Sequence, residues 1–337
     1  MDSQVSQQIV LARPLTEAPV AEDFRLEEAA MPEIGEGELL VRVHVLSLDP
    51  YIGSLLRGRH MSGPAPEVGG LIPGKGLGEV IESKAAGFAA GDWIVGETGW
   101  RSHAAVPVAS ASRIDASVRP LSLHLGVAGM PGLTAWASTH HLAKVREGDR
   151  VLVSSAAGPV GGTVGQLARI MGAEKVVGIA GGPEKCRMVV EQYGFDDCID
   201  YKQDGWQERI AHAFPDGITV YHENVGGELY ETALMNLANY GRVVLCGLAA
   251  QYQADERPAG PNPGIIIGKR ACVMGLVVYD FVDETREYAA NAKAWIEEGR
   301  LAYLEDRTEG IENTPALFAK LMRGENIGKT VVQVVPE

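Results

Sequence analysis

No cysteine precedes Cys186, and the four present, Cys186, Cys198, Cys246 and Cys272, form no CxxC pair. Such spacing supplies neither a zinc lobe nor a disulfide framework. Each cysteine sits among apolar residues and reads as a buried small hydrophobe. Long apolar runs are missing too: a stretch such as 242–250 falls far short of the roughly 20 residues that cross a bilayer. Residues 1–10 show neither the basic start nor the apolar centre of a signal peptide, so a cytoplasmic setting without membrane contact is expected. Positive charge is scarce. Thirty basic against 44 acidic residues leave a net charge of −14, a field that repels polyanions and weighs against a nucleic-acid partner. It still permits a local basic pocket around one phosphate. No internal repeat or low-complexity stretch breaks the chain.

What is present is an ordinary globular composition, 46% apolar and 22% charged, over 337 residues. That length is large for one hydrophobic core, so two domains are expected. Up to about residue 122, short alternating stretches with Gly and Pro punctuation predict β structure. Leu39, Val41, Val43 and Val45 alternate with Leu40, Arg42, His44 and Leu46, and the turn at 87–91 leads into another strand. Over 123–298 the pattern becomes strand, glycine loop, helix, repeated. Strands are expected at 150–155, 175–180, 198–201, 218–224, 242–248 and 271–279. One intervening helix carries Val160, Val164, Leu167, Ala168 and Met171 at helical spacing behind Pro159. A second opens at Pro183 and stops at Gly194, and a third is expected over 228–240. Such alternation means a doubly wound α/β parallel sheet covered on both faces. The tail, 299–337, returns to short strands and is expected to pack back on the N-terminal domain.

The strongest local motif is Val151–Leu152–Val153–Ser154–Ser155–Ala156–Ala157–Gly158–Pro159–Val160–Gly161–Gly162, whose glycines follow a predicted strand and open a predicted helix. Against G-x-G-x-x-G, Ala156 takes the first glycine position and Gly158 and Gly161 the others. Gly158 lets backbone approach a pyrophosphate, Gly161 lets the helix lie close to the strand, and the helix N-terminus meets the anion. This context predicts dinucleotide binding. A carboxylate at the tip of the second strand would bond a ribose 2′-hydroxyl, but that strand ends Ile179–Ala180–Gly181–Gly182. Lys185 follows in the first helical turn and suits a 2′-phosphate, so NADPH is expected over NADH. The alternative for Lys185 is an ordinary surface lysine.

Further motifs are Asp49–Pro50–Tyr51, Met130–Pro131–Gly132–Leu133–Thr134–Ala135, Glu223–Asn224–Val225–Gly226–Gly227 and Gly324–Glu325–Asn326–Ile327–Gly328–Lys329. With the glycine loop they resemble the zinc-free medium-chain dehydrogenase/reductases, in the leukotriene dehydrogenase/prostaglandin reductase branch that includes alkenal double-bond reductases and curcumin reductase. The resemblance runs from near residue 40 to the C-terminus. It implies a Rossmann domain joined to a GroES-like β-rich substrate domain, and a homodimer. Where zinc-dependent relatives carry a Cys and a Gly-His-Glu, this chain reads Asp49–Pro50–Tyr51 and Gly74–Lys75–Gly76, so no metal is expected. His140 and His141 are adjacent, point in different directions on a helix, and read as surface residues.

Residue by residue, the resemblance implies that Gly158, Pro159, Val160 and Gly161 cradle the pyrophosphate, that Lys185 and Tyr201 hold the 2′-phosphate, and that Asn224 sits near the ribose. Cys246, Gly247, Leu248 and Tyr252 would pass beside the nicotinamide, with Leu276, Val277 and Val278 bonding its amide, Thr134 near its face and Asn326 reaching in from the C-terminal segment. Pro183 and the pair His222–Glu223 depart from the family pattern, at positions outside the proposed chemistry.

A nicotinamide site without metal suits hydride transfer to the β-carbon of an α,β-unsaturated ketone or aldehyde. Charge then develops on the carbonyl oxygen and needs a donor aimed at it. Tyr252 is the candidate, in the loop beyond a parallel strand's carboxyl end; the alternative is that it only lines the pocket. Tyr51 is the substrate-side candidate, with packing as its alternative. Arg57 and Arg59 read as solvated loop charges, although they would also suit an acidic substrate. Quinone reduction by the same cofactor, alcohol oxidation, and a non-catalytic NADPH-binding protein of the crystallin type are the competing functions.

Overall fold

Alternation along 39–45 puts every second side chain of one strand on one face, and those four residues, Leu39, Val41, Val43 and Val45, are all buried. The computed structural model describes residues 5–59, 63–252 and 260–335; the first four residues of the polar N-terminal stretch lie outside them. Two units result, one formed by Met1–Leu125 with Glu305–Glu337 and the other by Gly126–Leu304.

In the first unit, strands β1 (Val5–Leu11) and β2 (Phe24–Ala30) pair antiparallel. They are followed by β3 (Glu38–Leu48), the short helix α1 (Tyr51–Leu56), β4 (Lys75–Ser83), β5 (Trp93–Glu97), β6 (His103–Pro107) and β7 (Ala111–Arg113). The second unit begins with α2 (Met130–Trp136), continued by a π-helical turn over Ala137–Leu142. There follow β8 (Arg150–Val153), α3 (Pro159–Ile170), β9 (Lys175–Ala180), α4 (Pro183–Tyr193), β10 (Asp197–Asp200), α5 (Trp206–Ala213), β11 (Ile218–Glu223), α6 (Gly227–Met235), β12 (Leu237–Leu245), α7 (Gly264–Lys269), β13 (Cys272–Gly275) and α8 (Thr285–Glu297). The tail returns to the first unit as β14 (Glu305–Glu309), α9 (Thr314–Met322) and β15 (Lys329–Gln333).

That return completes the first unit's large sheet, ordered β14-β15-β3-β4-β5-β7 with β6 also on β3; β15 lies antiparallel to β3 with Val331 opposite Ser47. Its core gathers aromatic rings: Trp100 meets Phe318 edge-on at 5.1 Å and Phe24 at 5.5 Å.

The second unit's sheet runs β10-β9-β8-β11-β12-β13, all parallel. In strand rank this is the doubly wound order 3-2-1-4-5-6, whose direction reverses between β8 and β11. Crossovers leave both faces under helices, and the strands are correspondingly apolar: Val151, Leu152, Val177, Ile199 and Val243 are buried beneath them.

Several predicted boundaries move: the strand expected over 150–155 ends at Val153, and the one expected over 242–248 ends at Leu245. The helix expected over 228–240 stops at Met235, and residues 237–245 form β12 instead. Ala233, Leu234 and Leu237 continue the helical spacing, but Leu237 takes up register opposite Ile218 and tertiary pairing wins. The strand expected over 271–279 ends at Gly275, since residues 278–284 tighten into a 3-10 turn.

Candidate functional site

At the reversal point, the chain leaving β8 turns through Ser155, held at φ 52, before Ala156–Ala157–Gly158 leads into α3. Gly158 N–H donates to the Ser155 carbonyl at 3.0 Å, closing the turn. The two glycines differ in what requires them. A Cβ on Gly161 would stand 2.4 Å from the Ser155 carbonyl oxygen and 2.9 Å from its carbon, backbone atoms that cannot give way. A Cβ on Gly158 would approach nothing nearer than 3.3 Å. Protein packing therefore demands Gly161, whereas Gly158 keeps open the surface beyond the loop. No side chain caps the first turn of α3, so its positive dipole end is left open, with the N–H groups of Val160 and Gly161 unclaimed by a capping side chain while Pro159 has none to offer. The arrangement suits a diphosphate.

At the tip of β9 the expected absence of a second-strand carboxylate holds, but a carboxylate arrives from the neighbouring strand. Asp200, buried at the end of β10, accepts from Gly182 N–H at 2.7 Å and Lys202 N–H at 3.0 Å. Burial works to raise its pKa, yet these N–H groups and Gln203 hold it below the usual carboxylate value. Its charge is thus already answered by the loop it supports. The Tyr201 ring lies over Gly181, where a Cβ would come within 2.9 Å of it. Lys185 stands in the first turn of α4, which begins directly after Gly182. Sequence reasoning missed Asp200 because it looked for a carboxylate on the second strand alone.

Across the reversal, the end of β11 is a buried polar network. Glu223 is fully buried and accepts from the Tyr221 hydroxyl, from Ser154 Oγ at 3.2 Å, and from the N–H groups of Val225 and Gly226. Burial raises its pKa, with those donors opposing the rise. His222 is equally buried, and desolvation pushes it down to about 4, so it is neutral at pH 7. Its Nδ1 accepts from Ser138 Oγ at 2.7 Å, and its Nε2 donates to Asn224 Oδ1 at 3.2 Å. Asn224 is fixed further by donating Nδ2 to the Ser154 carbonyl at 2.9 Å and its N–H to Ser154 Oγ at 2.7 Å. The departure His222–Glu223 therefore does touch the proposed site, because both residues hold Asn224 and its loop in place. A His-Glu pair inside an apolar strand was the available signal.

Beyond β12, Cys246 and Gly247 donate their N–H groups to the Glu223 carbonyl at 2.8 and 3.2 Å. The Cys246 thiol, pushed up to about 12 by burial and by Glu223, stays protonated. Leu248 is exposed, and Tyr252 folds back so that a Cβ on Gly247 would lie 3.3 Å from its hydroxyl. Burial raises the Tyr252 pKa, opposed by a hydrogen bond from the Leu248 backbone. Leu276 N–H donates to the Leu245 carbonyl at 2.9 Å; Leu276 is buried and Val277 exposed, with Val278 opening the turn that follows. Thr134 is buried and donates to the Met130 carbonyl at 2.8 Å within α2. Tyr51 and Asn326 belong to the other unit: Tyr51 opens α1 and packs on its core, and Asn326 Nδ2 donates to the Gly328 carbonyl at 3.1 Å.

The cysteines are not uniformly buried. Cys272 is exposed, Cys186 and Cys246 are partly exposed, and Cys198 lies against Cys186. Gly74 and Gly76 answer to packing, since Cβ atoms there would meet Trp100 Nε1 at 3.0 Å and Thr98 Oγ1 at 2.4 Å. Among the described residues no group of three or more His, Cys, Asp and Glu stands together as a metal site would need, and no helix is long and apolar enough to cross a membrane.

A doubly wound sheet with a glycine loop suited to a diphosphate at its reversal, together with a β-rich unit, is an architecture of nucleotide-dependent oxidoreductases. Residues 7–114 match the family model described as the N-terminal domain of oxidoreductase, and residues 159–296 match the one described as zinc-binding dehydrogenase. The NADPH-dependent curcumin reductase of Escherichia coli is 37% identical over 331 residues, covering 96% of each chain. A 2-alkenal reductase (NADP+-dependent) of Nicotiana tabacum is 35% identical over the full length of both. Among solved structures, CurA of Vibrio vulnificus in complex with NADPH superposes with a TM-score of 0.90 at 35% identity, covering 98% of this chain and 100% of that one. The chain belongs to the zinc-free medium-chain dehydrogenase/reductases, in the branch of the curcumin, 2-alkenal and prostaglandin reductases.

Proposed function

We propose that the protein uses NADPH to reduce the carbon–carbon double bond of α,β-unsaturated ketones and aldehydes. The observation that carries the reading is the Tyr252 hydroxyl, kept protonated and held beside Gly247 at the carboxyl edge of the sheet. The residues present fit the cofactor. Gly158, Pro159, Val160 and Gly161 would hold the diphosphate at the uncapped start of α3. Lys185 and Tyr201 would receive the 2′-phosphate, with Asp200 already engaged by backbone N–H groups. Asn224, fixed by Ser154 and His222, would meet the ribose, while Cys246, Gly247, Leu248, Leu276, Val277, Val278 and Thr134 would border the nicotinamide. Tyr51 and Asn326 lie in the β-rich unit, which we read as the substrate domain.

When bound, the cofactor supplies a hydride. Hydride arrival at the β-carbon leaves negative charge on the substrate oxygen, and Tyr252 answers it by donating its O–H. Ser154, His222 and Glu223 keep Asn224 and the following loop in one arrangement, so little reorganisation is needed during the reaction. The chain is expected to act as a cytoplasmic homodimer, so light scattering should return twice the 35.9 kDa of one chain.

The test is a panel of enones, enals and quinones assayed with NADPH and NADH in parallel. Saturation of the conjugated double bond with NADPH preferred supports the reading. Turnover of quinones alone, or oxidation of neither coenzyme, removes it.

A further inference from the structure

Cys186 and Cys198 stand 12 positions apart in sequence, one in the first half of α4 and the other in β10, yet their sulfurs lie 2.9 Å apart, with Cys198 donating to Cys186. Helix α4 packs directly on β10, so the contact belongs to the body of the second unit. A bonded pair of sulfurs is about 2.05 Å apart, so closure asks for a shift of roughly 0.9 Å and no rearrangement of the fold. The two thiols differ in access: Cys186 is partly exposed, whereas Cys198 is buried behind it. The hydrogen bond from Cys198 also lowers the Cys186 pKa and raises that of Cys198, which makes the outer sulfur the better nucleophile.

The geometry points to a reversible dithiol–disulfide site formed by Cys186 and Cys198, oxidised by hydroperoxides. The Cys186 thiolate attacks the outer peroxide oxygen, the O–O bond breaks, and the departing alkoxide or hydroxide takes up a proton; Cys186 becomes a sulfenic acid. Cys198 then attacks that sulfur. The S–S bond forms, the S–O bond breaks, and the hydroxide leaves as water with the Cys198 proton. Two thiols lose two electrons together and one hydroperoxide gains them.

The site lies on the NADPH side of the unit. Lys185 directly precedes Cys186, and Asp200, which holds Gly182, follows Cys198 by two positions. Closure ties the first turn of α4, which carries Lys185, covalently to β10, and part of the roughly 0.9 Å taken up there is enough to disturb a site held to about 0.5 Å, so NADPH affinity should fall on the order of threefold. This consequence rests on the cofactor reading above; the disulfide itself does not.

The full chain, reduced, desalted and exposed to hydrogen peroxide, is denatured, alkylated with N-ethylmaleimide and mapped by mass spectrometry. The expected result is two alkylated cysteines in place of four, with a thiol-reversible peptide joining Cys186 to Cys198. Cys198→Ser should leave a dimedone-reactive sulfenic acid at Cys186, and Cys186→Ser should protect Cys198; thermal unfolding confirms that both variants fold. Full alkylation of Cys186 and Cys198 after peroxide, or bridging through Cys272, overturns the site. NADPH titration of the reduced and oxidised forms reads the coupling, which equal affinities overturn. Failure of the reduced form to bind NADPH at all counts against the proposed function and leaves the mapped peptide as a separate result.

Discussion

The ammonium of Lys329 lies 2.6 Å from Asp49 Oδ1 and also donates to the Leu48 carbonyl at 3.0 Å, with both side chains buried. Ser47 completes the site by donating to the other carboxylate oxygen. The pair fastens the C-terminal return, through the first residue of β15, to the end of β3. Two of the motifs singled out in the sequence, one ending in Lys329 and one beginning with Asp49, thus meet in one ion pair of the β-rich unit. Lys329→Met leaves a buried carboxylate without its partner and should cost about 3–5 kcal/mol. Calorimetric unfolding checks it, and the double change with Asp49→Asn should recover part of the loss. A melting temperature indifferent to Lys329→Met would show the pair to be ornamental.

Gly161 and Gly158 should separate under the same substitution. Gly161→Ala forces a Cβ to 2.4 Å from the Ser155 carbonyl oxygen, so both stability and cofactor binding should suffer, the former by about 1–3 kcal/mol. Gly158→Ala meets nothing nearer than 3.3 Å within the protein and should leave the melting temperature almost unchanged. Its NADPH affinity should nonetheless fall about tenfold, or roughly 1.4 kcal/mol, because the methyl would stand in the path proposed for the diphosphate. Fluorescence titration and thermal unfolding read both quantities, and equal effects of the two substitutions on both would undo the distinction.

Strand β9 was legible to the residue because Lys175–Ala180 is a short apolar β-forming run stopped by two glycines. The end of α4 was equally plain, with Gly194 at φ 69 where a left-handed cap is needed. Residues 242–245 were legible as strand, but 237–241 were not, since Leu237 joins β12 through pairing with Ile218 and not through its own periodicity. The site divides in the same way. Its glycine loop is a local motif, whereas Ser138 reaches His222 across 84 positions and Cys186 meets Cys198 only after a helix folds onto a strand. Partners chosen by packing leave no spacing to read.

His222 gives the protein an acid-sensitive element whose sign follows from its environment. In the fold its pKa is about 4, against 6.5 for the free group, so the unfolded chain takes up a proton first as pH falls. Its contribution is complete above about pH 6.5 and is lost as pH drops towards 4, an interval worth about 3 kcal/mol. His222→Gln should make the acid limb of a stability–pH curve shallower by that amount. His44, His103 and His124, also lowered chiefly by burial, are present in both proteins and cancel in the difference. Parallel acid limbs for variant and parent would mean that His222 does not stay neutral in the fold.

Tyr252 supplies the sharpest test of the chemistry because its hydroxyl can be removed with little change of shape. The ring remains in Tyr252→Phe and only the hydroxyl's approach to Gly247 is lost, so the loop after β12 should persist and NADPH affinity should change little. What disappears is the donor proposed for the developing negative charge, so kcat should fall about 100-fold. The pH profile gives a second reading. Burial raises the phenol pKa above its ordinary 10.0, and the donating form is the protonated one, present below that pKa. Turnover limited by this group should therefore hold its plateau through pH 10, where a free phenol would already be half ionised, and the Phe variant should show no such limb. Unchanged kcat in the variant would leave Tyr252 a wall of the pocket and require another donor for the substrate oxygen.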